Sequence, residues 1–361
     1  MNAKKVALGL SGGVDSSVAA ALLIEQGYEV IGIYLECYNE PGCRTDQDKK
    51  DALQVALKLD IKFEVLDFRT EYKEKVVEYF YSEYKAGRTP NPDVMCNREI
   101  KFGIFYDWAM QNGFDYVATG HYCRIVEVKS EKGEMNSLLQ RARDESKDQS
   151  YFLWQVPSDH LSHAIFPLGE MLKSEVRAKA KELGLLTANK PDSMGICFIG
   201  DIDVSKLLRD RLGEKTGDVV MYPSRPGLAG QGQALTGTKI GTHKGLWFYT
   251  IGQRGGFTID HKSQKPDMEP LYVIGKNIER NELVVGERKE AMRQSFKIED
   301  NNLQLENKVW ARIRNLGELH EVVRIESGVV TLKDSVFAPS EGQSCVFYDE
   351  TQVLVAGSII V

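Results

Sequence analysis

The residues of this chain best arranged to do chemistry are Ser11, Gly12, Gly13, Val14, Asp15 and Ser16, met directly after the apolar run Val6–Leu10. A buried strand that turns through two glycines into a helix leaves several backbone N–H groups converging on one spot, an anion site at a helix N-terminus. Gly12 and Gly13 let the backbone approach a phosphate closely, and the hydroxyls of Ser11, Ser16 and Ser17 add donors. No lysine follows as it would in a Gly-x-x-x-x-Gly-Lys loop, and the Gly-x-Gly-x-x-Gly spacing of a dinucleotide fold is absent. Asp15 reads two ways: as a carboxylate sharing Mg²⁺ with phosphate oxygens, or as a first-turn acid complementing the helix dipole.

Two cysteines stand in unusual surroundings. Cys96 lies in the stretch Gly87–Phe102, where Pro90 and Pro92 predict a stiff, extended loop. Helical periodicity resumes near Asn97, which puts Cys96 at a helix N-terminus with Arg98 and Lys101 close by, conditions that favour a thiolate. Cys96 reads equally as a small buried hydrophobe, and Asp93 as either a proton relay or a helix cap. Cys197 sits between Gly195 and Gly200, a reactive loop thiol or a strand thiol by spacing alone. Cys37, Cys43, Cys123 and Cys345 form no Cys-x-x-Cys pair, which speaks against a disulfide framework and a structural zinc site. The loop resembles the Ser-Gly-Gly-x-Asp-Ser pyrophosphate loop of ATP pyrophosphatases. An adenylating loop combined with two such thiols suggests a carbonyl activated as its adenylate and attacked by a sulfur carrier.

The elements that must position these groups follow from pattern. Among 361 residues, 42% are hydrophobic and 27% charged, the balance of a globular protein with room for two or three domains. The formal charge of −6 means that a nucleic-acid partner must be held by local patches. No apolar run approaches the roughly 18 residues of a membrane span. Met1–Lys5 leads straight into the first strand, which reads as no signal peptide, no membrane partner and cytoplasmic residence.

Strand patterns at Val6–Leu10, Val30–Leu35, Phe63–Phe68 and Tyr116–Gly120 alternate with helical ones at Ser16–Gln26, Asp46–Leu59, Thr70–Lys85 and Asn97–Gln111. That alternation predicts an α/β domain with a parallel sheet, its ligand at the carboxyl ends of the strands. A hairpin is expected over Arg124–Lys129 and Leu138–Arg143, then helices over Lys173–Gly184 and Asp203–Leu212. After Gly213 glycines and prolines crowd together, and from Leu271 short alternating runs predict a small antiparallel β-barrel. The expected division is a catalytic domain over 1–206, a small central domain over 207–275 and a C-terminal barrel over 276–361.

Nearly the whole chain resembles the tRNA-specific 2-thiouridylases. The resemblance rests on Gly9–Ser17, Gly87–Phe102, Ala118–Tyr122, Lys147–Leu153, Phe166–Gly169, Gly195–Gly200 and Tyr249–Arg254. It implies an ATP-using sulfurtransferase that adenylates the 2-carbonyl of the wobble uridine, position 34 of a tRNA, and replaces that oxygen with sulfur. Gly9, Leu10 and the Ser11–Ser16 loop would hold the nucleotide, with Leu35 and Gly120 beside the adenosine. Cys197 would carry a persulfide received from a cysteine desulfurase or a sulfur-relay protein. Cys96 would either release sulfide from it or end in a transient Cys96–Cys197 disulfide, and Asp93 would act as acid/base partner. Asn91, Pro92 and Asp93 would line the base pocket. His121, Lys147, Asp148, Gln149, Arg314, Asn315 and Gln343 would contact RNA, Asn315 standing where the family often carries an aromatic residue. Two rivals remain open at this point: an adenylating enzyme with an amine nucleophile, and a tRNA-binding module with a vestigial nucleotide site. The first has no need of two cysteines in these contexts, and the intact Ser11–Ser16 loop argues against the second.

Overall fold

The computed structural model describes residues 3–38, 45–129, 133–192, 203–221, 237–263, 269–300, 302–305 and 307–361. Strands β1 (Lys5–Gly9), β2 (Glu29–Glu36), β3 (Lys62–Asp67) and β4 (Tyr116–Ala118) pair in parallel in the order β3-β2-β1-β4. A two-residue strand, Ala164–Ile165, extends the sheet beyond β4. β1 and β2 are buried on both faces while the edge strand β3 is largely exposed, and Val6–Leu8 of β1 shows why its centre is apolar without a break. Val6 and Leu8 pack with Val18, Leu23 and Val55 on one side, while Ala7 joins Ile31, Ile33, Phe102 and Phe105 on the other.

Helix α1 (Val14–Glu25) starts at Gly13, and eight of its residues are buried. It ends where Gly27, at φ +86°, supplies the left-handed turn that its position requires. Helix α2 (Thr45–Lys58) and a helical run over 69–85 follow, the latter with wide π-type turns at Lys73–Val77. The next run departs from expectation, because helix begins at Pro92 and reaches 111 across a kink at Phe102 and Gly103, whose backbone angles are not helical. Pro92 takes the first helical position, where its fixed φ suits a helix and its missing N–H leaves no bond unmade. Cys96 therefore lies inside the helix, one turn past its start, and is fully buried.

The hairpin of β5 (Cys123–Lys129) and β6 (Met135–Arg141) is in the expected place. Beyond helices at Lys173–Glu182 and Val204–Leu212 the chain builds two more sheets. The first has five strands: Gly217–Met221, Thr238–His243, Thr258–Ile259, Tyr272–Asn277 and Glu282–Gly286. Within it Glu282–Gly286 runs parallel beside Gly217–Met221. The second is six-stranded and antiparallel throughout, and a bridge between Ile298 and Ile360 draws its outer strands together. No helix among the described residues is long and apolar enough to cross a membrane.

Candidate active site

The Ser11–Ser16 loop leaves the C-terminal end of β1 and opens helix α1. Gly12 has φ +73°, and a Cβ there would run into the Asp48 carbonyl of α2. The loop is braced internally. The Ser16 hydroxyl accepts from the Ser11 N–H at 3.2 Å and donates to the Gly13 carbonyl, while Ser17 Oγ donates to the same carbonyl at 2.7 Å. The N–H groups of Val14, Asp15 and Ser16 have no helical carbonyl behind them, which leaves them for an anion. Gly120 closes the loop from β4: a Cβ on it would stand 2.7 Å from the Ser16 nitrogen. Leu35 is buried at the end of β2, in one core with Cys37, Cys96, Phe102 and Phe105.

Cations ring the loop, each now opposed by a carboxylate. Lys173 Nζ lies 2.7 and 2.8 Å from the two Asp15 oxygens and 2.9 Å from Asp192. Lys147 and Arg177 also bind Asp192, at 2.8 and 2.6 Å. Lys190 Nζ donates to the Gly12 carbonyl and meets Asp48 and Asp51. Burial works to raise the Asp192 carboxyl, but Lys147 and Lys173 win and hold it far below the usual carboxylate range. The Tyr122 hydroxyl donates to Asp15 at 2.8 Å, and burial with that neighbouring carboxylate pushes its pKa far up. Lys173, Arg177, Lys190 and Asp192 carry no local sequence signal, since they reach the loop only through tertiary packing.

The residues expected to meet RNA or the base fall into distinct settings. Asn91 and Pro92 are buried, and Asp93 is partly exposed in the first turn of the 92–111 helix. His121 is 7% exposed, with Nδ1 2.7 Å from Thr119 Oγ1 and Nε2 3.3 Å from Lys101 Nζ. Burial, helped by the Lys101 ammonium, pushes the imidazole well below its ordinary value. Neutral at pH 7, it accepts from Lys101 at Nε2 and donates from Nδ1 to Thr119, a tautomer assigned from these partners.

Asp148, expected at the RNA, is fully buried with Arg312. Their 2.6 Å ion pair joins the catalytic domain to the C-terminal sheet, and Asp148 also accepts from the Ala142 N–H and the Ser150 hydroxyl. Its flanking residues point elsewhere: Lys147 to Asp192, and Gln149 Oε1 to the Tyr122 N–H at 3.0 Å. Arg314 is half-buried, donating to the Ala338 carbonyl, while Asn315 is exposed. Gln343 Nε2 donates to the Thr89 and Pro90 carbonyls. Cys197 and its glycine-bracketed stretch lie outside the described residues, as does Cys43. Cys123 and Cys345 are fully buried thiols whose pKa values burial drives far up, so both are inert.

A parallel α/β sheet whose first strand turns through glycines into a helix, followed by two β-rich units, is the architecture expected of the pyrophosphate-loop class. Residues 4–201 match the model described as tRNA methyl transferase HUP domain, and residues 205–287 the one described as tRNA methyl transferase PRC-barrel domain. The tRNA-specific 2-thiouridylase MnmA of Akkermansia muciniphila is 41% identical over 98% of this chain and 98% of its own length. Those of Streptococcus agalactiae and Staphylococcus aureus are also 41% identical, over 98% and 99% of this chain and 95% of theirs. The chain belongs to the tRNA-specific 2-thiouridylase family.

Proposed function

We propose that the protein uses ATP to replace the 2-carbonyl oxygen of uridine 34 in tRNA with sulfur. The uridine O2 attacks the α-phosphorus, pyrophosphate leaves, and the resulting ester turns a poor leaving group into AMP. The observation that carries this reading is the braced Ser11–Ser16 loop, its first-turn N–H groups unclaimed by the helix and its rim lined by Lys147, Lys173, Arg177 and Lys190. An incoming triphosphate exchanges their carboxylate partners for phosphate oxygens, which places four positive charges where pyrophosphate charge develops.

Asp15 is the carboxylate at the loop that fits Mg²⁺. No cluster of three acidic, histidine or cysteine side chains stands ready for a metal among the described residues, which suits an ion held largely by phosphate oxygens. When bound, Mg²⁺ would neutralise charge on the departing pyrophosphate. Asn91, Pro92 and Asp93 hold the target base, with Asp93 exchanging the proton of its N3.

Sulfur arrives as a persulfide on Cys197, loaded by a cysteine desulfurase or a relay protein. Its terminal sulfur becomes the nucleophile at C2, either directly or as sulfide freed by Cys96. In both cases AMP leaves, the sulfane sulfur is reduced by two electrons, and Cys96 and Cys197 are oxidised to a disulfide that an external thiol must reduce. Cys96 lies one turn into its helix, where the helix-start dipole has largely faded.

The test is a single-turnover assay with tRNA, ATP and a persulfide donor. Cys197→Ser is expected to release pyrophosphate yet form no 2-thiouridine, and Cys96→Ser likewise. Thiouridine formed by Cys197→Ser would overturn the sulfur route, and no pyrophosphate release from any form would overturn the adenylation step.

A further inference from the structure

One short strap of the catalytic domain, residues 87–90, is gripped from both β-rich units. The N–H groups of Gly87 and Arg88 finish the preceding helix on the Tyr84 and Glu83 carbonyls. Past that point the main chain is bonded by residues far along the sequence. Lys276 Nζ, from the Tyr272–Asn277 strand, donates to the Gly87 carbonyl at 2.7 Å. The Thr89 N–H donates to the Glu341 carbonyl at 2.9 Å. Gln343 Nε2 donates to the Thr89 and Pro90 carbonyls at 2.9 and 3.0 Å. The Thr89 and Thr250 hydroxyls lie 3.2 Å apart.

Glycines make these approaches possible. Gly87 has φ +84° and a Cβ there would strike Ile278, while a Cβ on Gly342, at φ +87°, would stand 2.7 Å from the Thr89 carbonyl oxygen. A cavity of about 300 Å³ opens beside the junction, lined by Gly87, Thr89, Lys276, Arg293 and Glu341 among others. Space on that side leaves the clamp bonds, rather than close packing, to fix the strap. The strap in turn delivers the chain into Asn91 and Pro92, where the helix bearing Asp93 and Cys96 begins.

We propose that Lys276 is a positioning residue for the reaction: by fixing the Gly87 carbonyl from the central unit, its ammonium sets the angle at which Asn91, Pro92 and Asp93 meet the target base. This rests on the reading of those three residues as the base pocket. Together with Gln343 it makes the base pocket a joint product of three units, assembled when both β-rich units are seated on the catalytic domain.

Lys276 is a poor candidate for a merely stabilising role. Burial draws its pKa from 10.5 down to about 8, with Glu341 only partly opposing the shift. The folded state then binds that proton less tightly than the unfolded chain, so stability rises as pH climbs from about 8 toward 10.5. A methionine of similar length removes this burden while deleting the donor.

Lys276→Met and Lys276→Arg, compared with the wild-type full chain, decide the matter. For Lys276→Met the expected single-turnover thiolation rate at saturating tRNA and ATP falls at least about fivefold, a loss typical of slight misplacement of reacting groups. Its KM for ATP stays within about twofold, its melting temperature does not drop, and amide exchange quickens in the peptide over 87–96 but not over 5–36. Lys276→Arg keeps a donor and recovers most of the rate. Unchanged thiolation and strap exchange in Lys276→Met would overturn the inference. So would a rate loss accompanied by a lower melting temperature and faster exchange throughout the catalytic domain. If the wild-type chain forms no 2-thiouridine, the functional reading fails instead, and the exchange data still judge the clamp.

Discussion

Gly120→Ala probes the loop's geometry with a single methyl group. The added Cβ would stand 2.7 Å from the Ser16 nitrogen and 2.9 Å from the Asp15 carbonyl carbon, both backbone atoms. Ordinary contact begins near 3.4 Å, so the start of helix α1 must retreat by about 0.7 Å or β4 must shift its end. Retreat is resisted, since Ser16, Ser17, Val18, Ala19 and Ala20 of that helix are all buried against the sheet and neighbouring helices. A displacement of that size moves the anion-binding N–H groups off the phosphates. Misplacements near 1 Å lower rates by up to about 100-fold, so kcat/KM for ATP is expected to fall about 10- to 50-fold. Titration calorimetry with a non-hydrolysable ATP analogue should show weakened binding, with a melting temperature lowered by only a few degrees for a cost of about 1–3 kcal/mol. Gly275→Ala is the control, because its Cβ would sit 3.6 Å from Val284, in ordinary contact. Wild-type ATP affinity and turnover in Gly120→Ala would refute the assignment of this loop as the nucleotide cradle.

Arg312→Met strands the fully buried Asp148 carboxylate and should destabilise the chain by about 3 kcal/mol in urea unfolding, at the low end for a broken buried pair. The low end applies because Arg141 Nε remains 3.7 Å away, and Asp148→Asn added to Arg312→Met should restore part of the loss; a change under about 1 kcal/mol would count against the pair. Asp192 is held below the usual carboxylate range in the fold, so its contribution to stability is complete above about pH 4 and is lost as pH falls toward its lowered value. Asp192→Asn should therefore flatten the acid limb of melting temperature against pH, and parallel curves for the two proteins would contradict the pairing with Lys147 and Lys173.

The catalytic domain was legible because its signals are local and repetitive. Uninterrupted apolar runs at Val6, Val30 and Tyr116, with glycines past the helix ends at Gly27 and Gly113, announce a parallel sheet whatever the distant contacts. The helix carrying Cys96 begins five residues before its expected start at Asn97, because Pro90 and Pro92 look alike in sequence. Only the second stands where a helix can begin, and what selects it is packing. Met292–Lys297 carries little strand signal, since four of its six residues are polar or charged and its partner lies more than thirty residues on. The cation ring was illegible for a related reason. Lys173 and Lys190 are ordinary surface lysines by composition, and their place at the loop depends on how their segments pack beside α1 and α2. Asp148 shows the converse: a charged residue in a polar stretch reads as exposed, yet Arg312, 164 positions away, draws it into the interior.

The central claim is that the uridine O2 leaves as part of AMP. A tRNA carrying ¹⁸O at the C2 carbonyl of uridine 34, incubated with the protein, ATP and a persulfide donor, tests it by mass spectrometry of the AMP. The account predicts one ¹⁸O in AMP for each 2-thiouridine formed, and AMP free of label alongside 2-thiouridine would contradict it.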